Sequence, residues 1–235
     1  RLGFFMDILP KWAEVILIPV ISLALSFLIS ALVIIAIGED PIAALLLMID
    51  GAIGSTYGWG YTLYYATNFI FTGLAVSVAF HARMFNIGGE GQALLGGLGV
   101  ATVCLAFNWP HWSLALIAAS LGAMVFGAFW ALIPAYLQAR RGSHIVITTI
   151  MFNFIAASLL NYLLVNVFRP EGSMDPATRK FSENAHLPTL HEMLANVGIP
   201  FSKAAPANIS FFIAIVACFL VWLLVWRTRL GYEIR

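Results

Sequence analysis

A short polar segment, HARMFNIGGEGQ at residues 81–92, separates two long apolar runs. It carries one carboxylate, Glu90, two side-chain amides, Asn86 and Gln92, and three glycines, Gly88, Gly89 and Gly91. Glycines this dense disfavour regular helix and permit an unwound backbone. An acidic side chain inside a membrane costs roughly 2.5–3.5 kcal/mol on insertion scales, so it must be paired or must line a wet cavity. Glu90 would sit in the first turn of the following helix, where the helix dipole favours an anion. Two readings stay open. The segment is a broken helix that lines a path within the membrane, or it is a cytoplasmic loop leading into an ordinary helix start, as His81 and Arg83 suggest.

Other polar residues interrupt apolar runs. Asn68 and Thr72 lie four residues apart, one helical turn, with Ser77 following on. Thr148, Thr149 and Asn153 form a second group, in which Thr149 and Asn153 share a face. In lipid such side chains bond across helices or touch a polar substrate. Several familiar chemistries are missing. No G-x-x-x-x-G-K-[ST] loop occurs, so the chain itself is not expected to hydrolyse ATP or to bind a cofactor. His191-Glu192 lacks the second histidine of a zinc-protease helix, and His186 and His191 read as solvated loop residues. Cys104 and Cys218 sit in apolar runs and read as small buried residues, with no metal site expected. An enzyme would need convergent catalytic groups, and none is evident.

Composition says what must position these residues. Charged residues are 10% of the chain and hydrophobic residues 61%; a soluble domain carries roughly 25% charged residues. A net charge of +1 argues against a nucleic-acid partner. Six apolar runs are candidate membrane spans, and in lipid they must be helices, at residues 15–37, 62–80, 93–107, 112–137, 145–168 and 209–226. The expected fold is an all-α polytopic transmembrane helix bundle with a glycine-rich broken-helix segment. The first run is too long for a signal-peptide core and lacks a cleavage site, so it is a true span. The third run is short and is expected to begin deeper, within the glycine-rich segment.

Residues 41–60 should form an interfacial helix. Its apolar part, 42–53, is too short to cross, and Asp50, Gly51, Gly54, Gly58 and Gly60 break it. Tyr57, Trp59, Tyr61, Tyr64 and Tyr65 would form an aromatic belt. In the fourth run Ala115, Ala119, Ala123, Gly127, Ala131 and Ala135 recur every four residues, a stripe of small side chains on one helix face that lets a neighbouring helix approach closely.

Lys and Arg orient the bundle. With the N-terminus cytoplasmic, Arg1, Lys11, Arg83, Arg140, Arg141, Arg227, Arg229 and Arg235 lie inside, and Arg169, Arg179, Lys180 and Lys203 lie outside. The short basic loops decide the orientation, because all four outside cations share one long loop. That extracytoplasmic loop, residues 169–208, holds five prolines and room for a short helix near 187–197. It reads as a cap over helix ends or as a docking surface.

The runs FTGLAVSVAF (71–80) and FNIGGEGQ (85–92) resemble the permease subunits of ABC importers of the branched-chain amino acid, ribose and nucleoside family, in the form typical of the nucleoside and simple-sugar branch. GSHIVITTIMFN (142–153) is similar to that family's G-x-N-E-V-I-S-T-x-M-x-N. RTRLGYEIR (227–235) is similar to the start of the cytoplasmic stretch that couples to the ATPase. His144 and Ile145 stand where the family often has Asn and Glu, so any role of that Glu is not carried over. The chain begins at Arg1 and stops within the third motif, and so reads as a single permease domain, 1–235, from the first part of a longer chain.

The resemblance implies a bacterial cell-membrane protein that moves a nucleoside or simple sugar by alternating access. Its implied partners are a cytoplasmic ABC ATPase that uses the ATP, a second permease subunit and an extracytoplasmic substrate-binding protein. Substrate-path candidates are Asn86, Glu90, Gln92, Asn68, Thr72, Thr149 and Asn153, with the first three able instead to fix the broken helix. Arg227, Arg229, Tyr232, Glu233 and Arg235 are the candidate ATPase-facing set, although the arginines could equally be membrane anchors. The competing reading is an ion-coupled secondary transporter with Glu90 as its coupling site.

Overall fold

The computed structural model describes Pro10 and residues 13–235. Arg1 and Lys11, two of the cations counted as cytoplasmic, lie outside the described residues. Nine α-helices are described: α1 Ile18–Ile37, entered through a π-helical turn at Ala13–Leu17, α2 Pro41–Ile53, α3 Thr56–His81, α4 Gly89–Ala106, α5 Trp112–Arg141, α6 Ile145–Leu163, α7 Leu190–Ala195, α8 Ser210–Arg227 and α9 Arg229–Ile234. Apart from one isolated bridge, Thr189 to Asn208, no β-structure occurs among the described residues, and the fold is all-α as expected. Six helical stretches are long and apolar enough to cross a membrane: Ala13–Ile37, Thr56–His81, Gly89–Ala106, Trp112–Arg141, Ile145–Phe168 and Ser210–Arg227. They match the six expected runs, and the third does begin inside the glycine-rich segment.

The chain divides into two compact units, one running to Trp59 and the other Gly60–Arg235. In the first, α1 is apolar all round and none of its residues is buried. That pattern suits a helix whose solvent is lipid. Gly38, at φ 95°, ends it in the left-handed conformation that glycine tolerates best. The Ile42 N–H donates to Asp40 Oδ1 (2.9 Å) and caps α2. With 13 residues, α2 is about 20 Å long and cannot span.

The expected glycine-broken stretch is only partly present. Gly58 and Gly60 lie inside α3, which starts at Thr56 rather than near residue 62. A Cβ on Gly58 would strike the Gly51 carbonyl oxygen, and one on Gly60 would strike the Ala205 Cβ. These glycines serve close approach and do not end the helix. The aromatics therefore ride on the first turns of α3, where Tyr64 meets Tyr65 edge-on at 5.5 Å.

In the second unit, α4 is the central helix, packed on α5 and α6. Leu95 and Leu98 of α4, Trp130 of α5 and Ala156 of α6 form the buried cluster, flanked by Phe126, Phe152 and Leu160. Polar neighbours are few, so van der Waals fit is what associates these helices. A Cβ on Gly99 would meet the Gly122 carbonyl oxygen, so the α4 and α5 backbones touch. The small-residue stripe of α5 supplies part of this contact: Ala123 lies beside Gly96 of α4, and Ala115 and Ala119 are buried. It does not keep to one face. A repeat of four drifts by about 40° per step on a 3.6-residue helix. By Ala135 the stripe is exposed, and Trp130 and Pro134 are the buried residues.

The long loop is pinned to the helix ends. Arg179 Nη2 donates to the Leu105 carbonyl (2.6 Å) at the end of α4, and Asn184 Nδ2 donates to the Trp109 carbonyl (3.0 Å). Its short helix, α7, falls within the expected window and begins with a Thr189–Glu192 capping box. His191 is not a free solvated side chain, since its Nδ1 lies 2.7 Å from the Phe201 carbonyl oxygen. The loop caps helix ends, one of its two expected roles.

Candidate functional site: the polar break before α4

The break is built by a helix that stops and one that starts, seven residues apart. At the end of α3 the Met84 N–H donates back to the Ala79 carbonyl (2.9 Å) and the Arg83 N–H to Phe80 (2.9 Å). This turn holds Arg83 at φ 54°, the one positive φ outside glycine among the described residues. Phe85 then meets Phe80 edge-on at 5.1 Å. The Gly88 N–H donates to Asn86 Oδ1 (2.8 Å), so a local Asn turn bends the chain into α4.

Asn153 of α6 ties the two sides together. Its Oδ1 accepts from the Gly91 N–H (2.9 Å), and its Nδ2 donates to the Ile87 carbonyl (2.9 Å). The first N–H groups of a helix have no partner within it. Asn153 therefore supplies one missing acceptor to α4 and one donor to the unwound strand. Gly91 permits this approach: a Cβ there would lie 3.0 Å from Asn153 Oδ1, 3.0 Å from Trp130 Nε1 and 3.2 Å from the Ala156 Cβ. The Trp130 indole donates to the Phe152 carbonyl (3.3 Å), one residue before Asn153. Thr149, one turn earlier on α6, is fully buried and bonds its own helix at the Ile145 carbonyl (2.8 Å).

Glu90 and Gln92 are differently placed. Glu90 is exposed on the first turn of α4, with no hydrogen bond or ion pair among the described residues. Gln92 is half-buried beside it. Thus Asn86, Thr149 and Asn153 are engaged by the scaffold, while Glu90 and Gln92 remain available. Asn68 and Thr72 lie apart from this group on α3. Both are exposed and bond back to their own helix, Asn68 to the Tyr64 carbonyl (3.3 Å) and Thr72 to the Asn68 carbonyl (3.0 Å). No group of His, Cys, Asp and Glu among the described residues is arranged to hold a metal.

A second constellation lies where α8 meets α9. Thr228 Oγ1 donates to the Leu224 carbonyl (2.6 Å) and accepts from the Gly231 N–H (3.1 Å). A Cβ on Gly231 would strike the Leu224 and Val225 carbonyl oxygens, so α9 folds hard against the end of α8. The Arg227 guanidinium lies 5.4 Å from the Trp222 ring centre, and Arg235 lies 4.6 Å from that of Trp226. Arg229, Tyr232 and Glu233 are exposed.

Residues 58–235 match the family model described as "Branched-chain amino acid transport system / permease component". The chain belongs to this permease family. Among curated relatives, it is 32% identical over 225 residues to the guanosine ABC transporter permease protein NupP of Bacillus subtilis, covering 94% of this chain and 60% of that protein. It is 32% identical to the glucose ABC transporter permease protein TsgB13 of Haloferax volcanii, over 92% of this chain and 56% of the relative. It is 33% identical to the nucleoside ABC transporter permease protein NupB of Lactococcus lactis, over 94% of this chain and 60% of the relative. The permease chain thus spans about 60% of the length of these relatives. No solved structure matches it.

In this permease, three contributors to the two constellations escaped the sequence reading. An indole N–H in an apolar run needs an acceptor, which was the available signal for Trp130. A threonine directly after an apolar helix and before a glycine is a capping signal, which would have found Thr228. Nothing in the sequence marks Arg83 for a left-handed backbone.

Proposed function

We propose that this permease subunit moves a nucleoside or simple sugar across a bacterial cell membrane, driven by a separate cytoplasmic ABC ATPase. The observation that carries the proposal is the Asn153 clamp. It holds an unwound segment and a helix N-terminus in fixed register while Glu90 stays unengaged. Such a half-helix end offers N–H groups and a positive dipole to a polar substrate. A neutral, hydroxyl-rich molecule suits a single carboxylate acceptor flanked by an amide. In this reading Glu90 and Gln92 contact substrate, and Asn86, Thr149 and Asn153 position them. The names of NupP, NupB and TsgB13 support the substrate class.

The same reading gives the chain three partners. The ATPase meets Arg227, Arg229, Tyr232, Glu233 and Arg235 on the cytoplasmic side, where the N-terminus also lies. A second permease subunit completes the pathway, and an extracytoplasmic binding protein delivers substrate near residues 169–208.

The test is purification of the tagged full-length chain from detergent-solubilised membranes, followed by reconstitution. Co-purification of a P-loop ATPase and a second permease in fixed ratio, with ATP-dependent uptake, is the expected result. A chain that purifies alone and transports without ATP, following an ion gradient, would overturn it. Glu90, a carboxylate without a partner among the described residues, would then be tested as the ion-coupling site.

A further inference from the structure

We propose that Trp226 is a positioning residue that carries movement of α9 to the polar break, with His81 as the receiving end and Arg83 as the hinge. The inference rests on the importer reading, in which α9 faces the ATPase. Trp226 has partners on two sides. The guanidinium of Arg235, the residue that follows α9, lies 4.6 Å from its ring centre. The His81 ring of α3 stands nearly perpendicular to it, at 83° and 6.0 Å. One indole therefore touches the α9 segment and the last residue of the helix that precedes the break.

Both ends of this contact are stiff. The Thr228 cap and the Gly231 close approach prevent α9 from sliding on α8. At the other end His81 Nδ1 lies 2.8 Å from the Ser77 carbonyl oxygen. A carbonyl only accepts, so Nδ1 carries the proton and the ring orientation is set. Between the helices the packing is open. Leu74, Ser77 and His81 face Cys218, Val221 and Val225 across a gap of about 170 Å³, so the aromatic contact is a narrow bridge across loose packing.

Beyond His81 the chain makes a strained turn. Arg83 sits two residues on, at φ 54°, a conformation that L side chains rarely adopt. Residues held there persist only where surrounding contacts hold them, and they recur at switch regions. Three residues further lies Asn86, whose side chain bends the chain into α4. A displacement of the indole that pulls on His81 acts on this turn before it reaches any other part of the break.

The test uses the full assembly in proteoliposomes, with substrate uptake and ATP hydrolysis measured on the same sample. Trp226→Ala should lower substrate moved per ATP by about fivefold while hydrolysis stays within about twofold of wild type. Trp226→Phe, which keeps a ring, should restore most of the ratio. His81→Ala combined with Trp226→Ala should be no worse than either alone. Uptake and hydrolysis falling in proportion would show a purely structural role and overturn the proposal. So would an unchanged ratio, or strictly additive losses. Uptake by wild type without ATP would overturn the importer reading itself, and this linkage with it.

Discussion

The polar break and the α8–α9 corner both interrupt helices over a few residues, yet they are held by different means. Neutral amides hold the break: Asn86 and Asn153 bond backbone groups directly, at 2.8–2.9 Å. Cations over aromatic faces surround the corner, Arg227 on Trp222 and Arg235 on Trp226. Amide hydrogen bonds are directional and carry no net charge, so they fix a register closely. Cation–π contacts are electrostatic and contribute about 0.5–1 kcal/mol at exposed sites. The contrast teaches that the break is tied by directed bonds from another helix, while the corner is closed by its own Thr228 cap with aromatic contacts around it.

Substitutions should separate the two regions in a definite order. The largest effect falls on Asn153. Asn153→Leu removes a donor and an acceptor together and strands the Gly91 N–H and the Ile87 carbonyl. A loss of about 2–3 kcal/mol is expected, read as a lower midpoint in thermal unfolding in detergent. If Asn153→Leu unfolds at the wild-type temperature, the clamp does not hold the break.

Gly91→Ala should follow. A methyl there meets Trp130, Asn153 and Ala156 at 3.0–3.2 Å, so about 1–2 kcal/mol of overpacking is expected. Gly97→Ala, where a Cβ would meet open space, should be neutral or slightly stabilising in the same assay. Equal losses at the two glycines would mean that close approach at Gly91 is not what sets the cost.

Glu90→Gln should leave stability within about 0.5 kcal/mol, as for an exposed residue. Uptake should nevertheless fall on the order of tenfold, the worth of one charged hydrogen bond. A drop in stability with uptake intact would move Glu90 from the path to the scaffold. At the corner, Arg227→Gln should cost only about 0.5–1 kcal/mol. That small loss would be visible as a modest shift in the same melt.

Much of the framework was legible before any tertiary contact was known. Six apolar runs within a chain 10% charged force helices, because lipid cannot satisfy a bare backbone. The break was legible too, from three glycines beside Glu90, Asn86 and Gln92. Less legible was what each glycine does. Gly58 and Gly60 read as breakers, but inside α3 they are contact points, since only a partner at backbone distance distinguishes the two uses. The stripe on α5 read as one face, but a four-residue repeat winds around the helix.

The sequence alone determined the helix class, the six stretches long and apolar enough to span among the described residues, and the place where the polar break interrupts them, because apolarity and backbone freedom are local properties. Only the tertiary structure decided which polar side chains are occupied. Asn153 lies 62 residues from Gly91 along the chain, and its two hydrogen bonds exist because α4 and α6 meet there. Thr149 points into the packed interior, while Glu90, on the first turn of α4, is left open. A side chain's hydrogen-bonding capacity is written in its type, but whether a partner consumes it depends on which helix is set beside it.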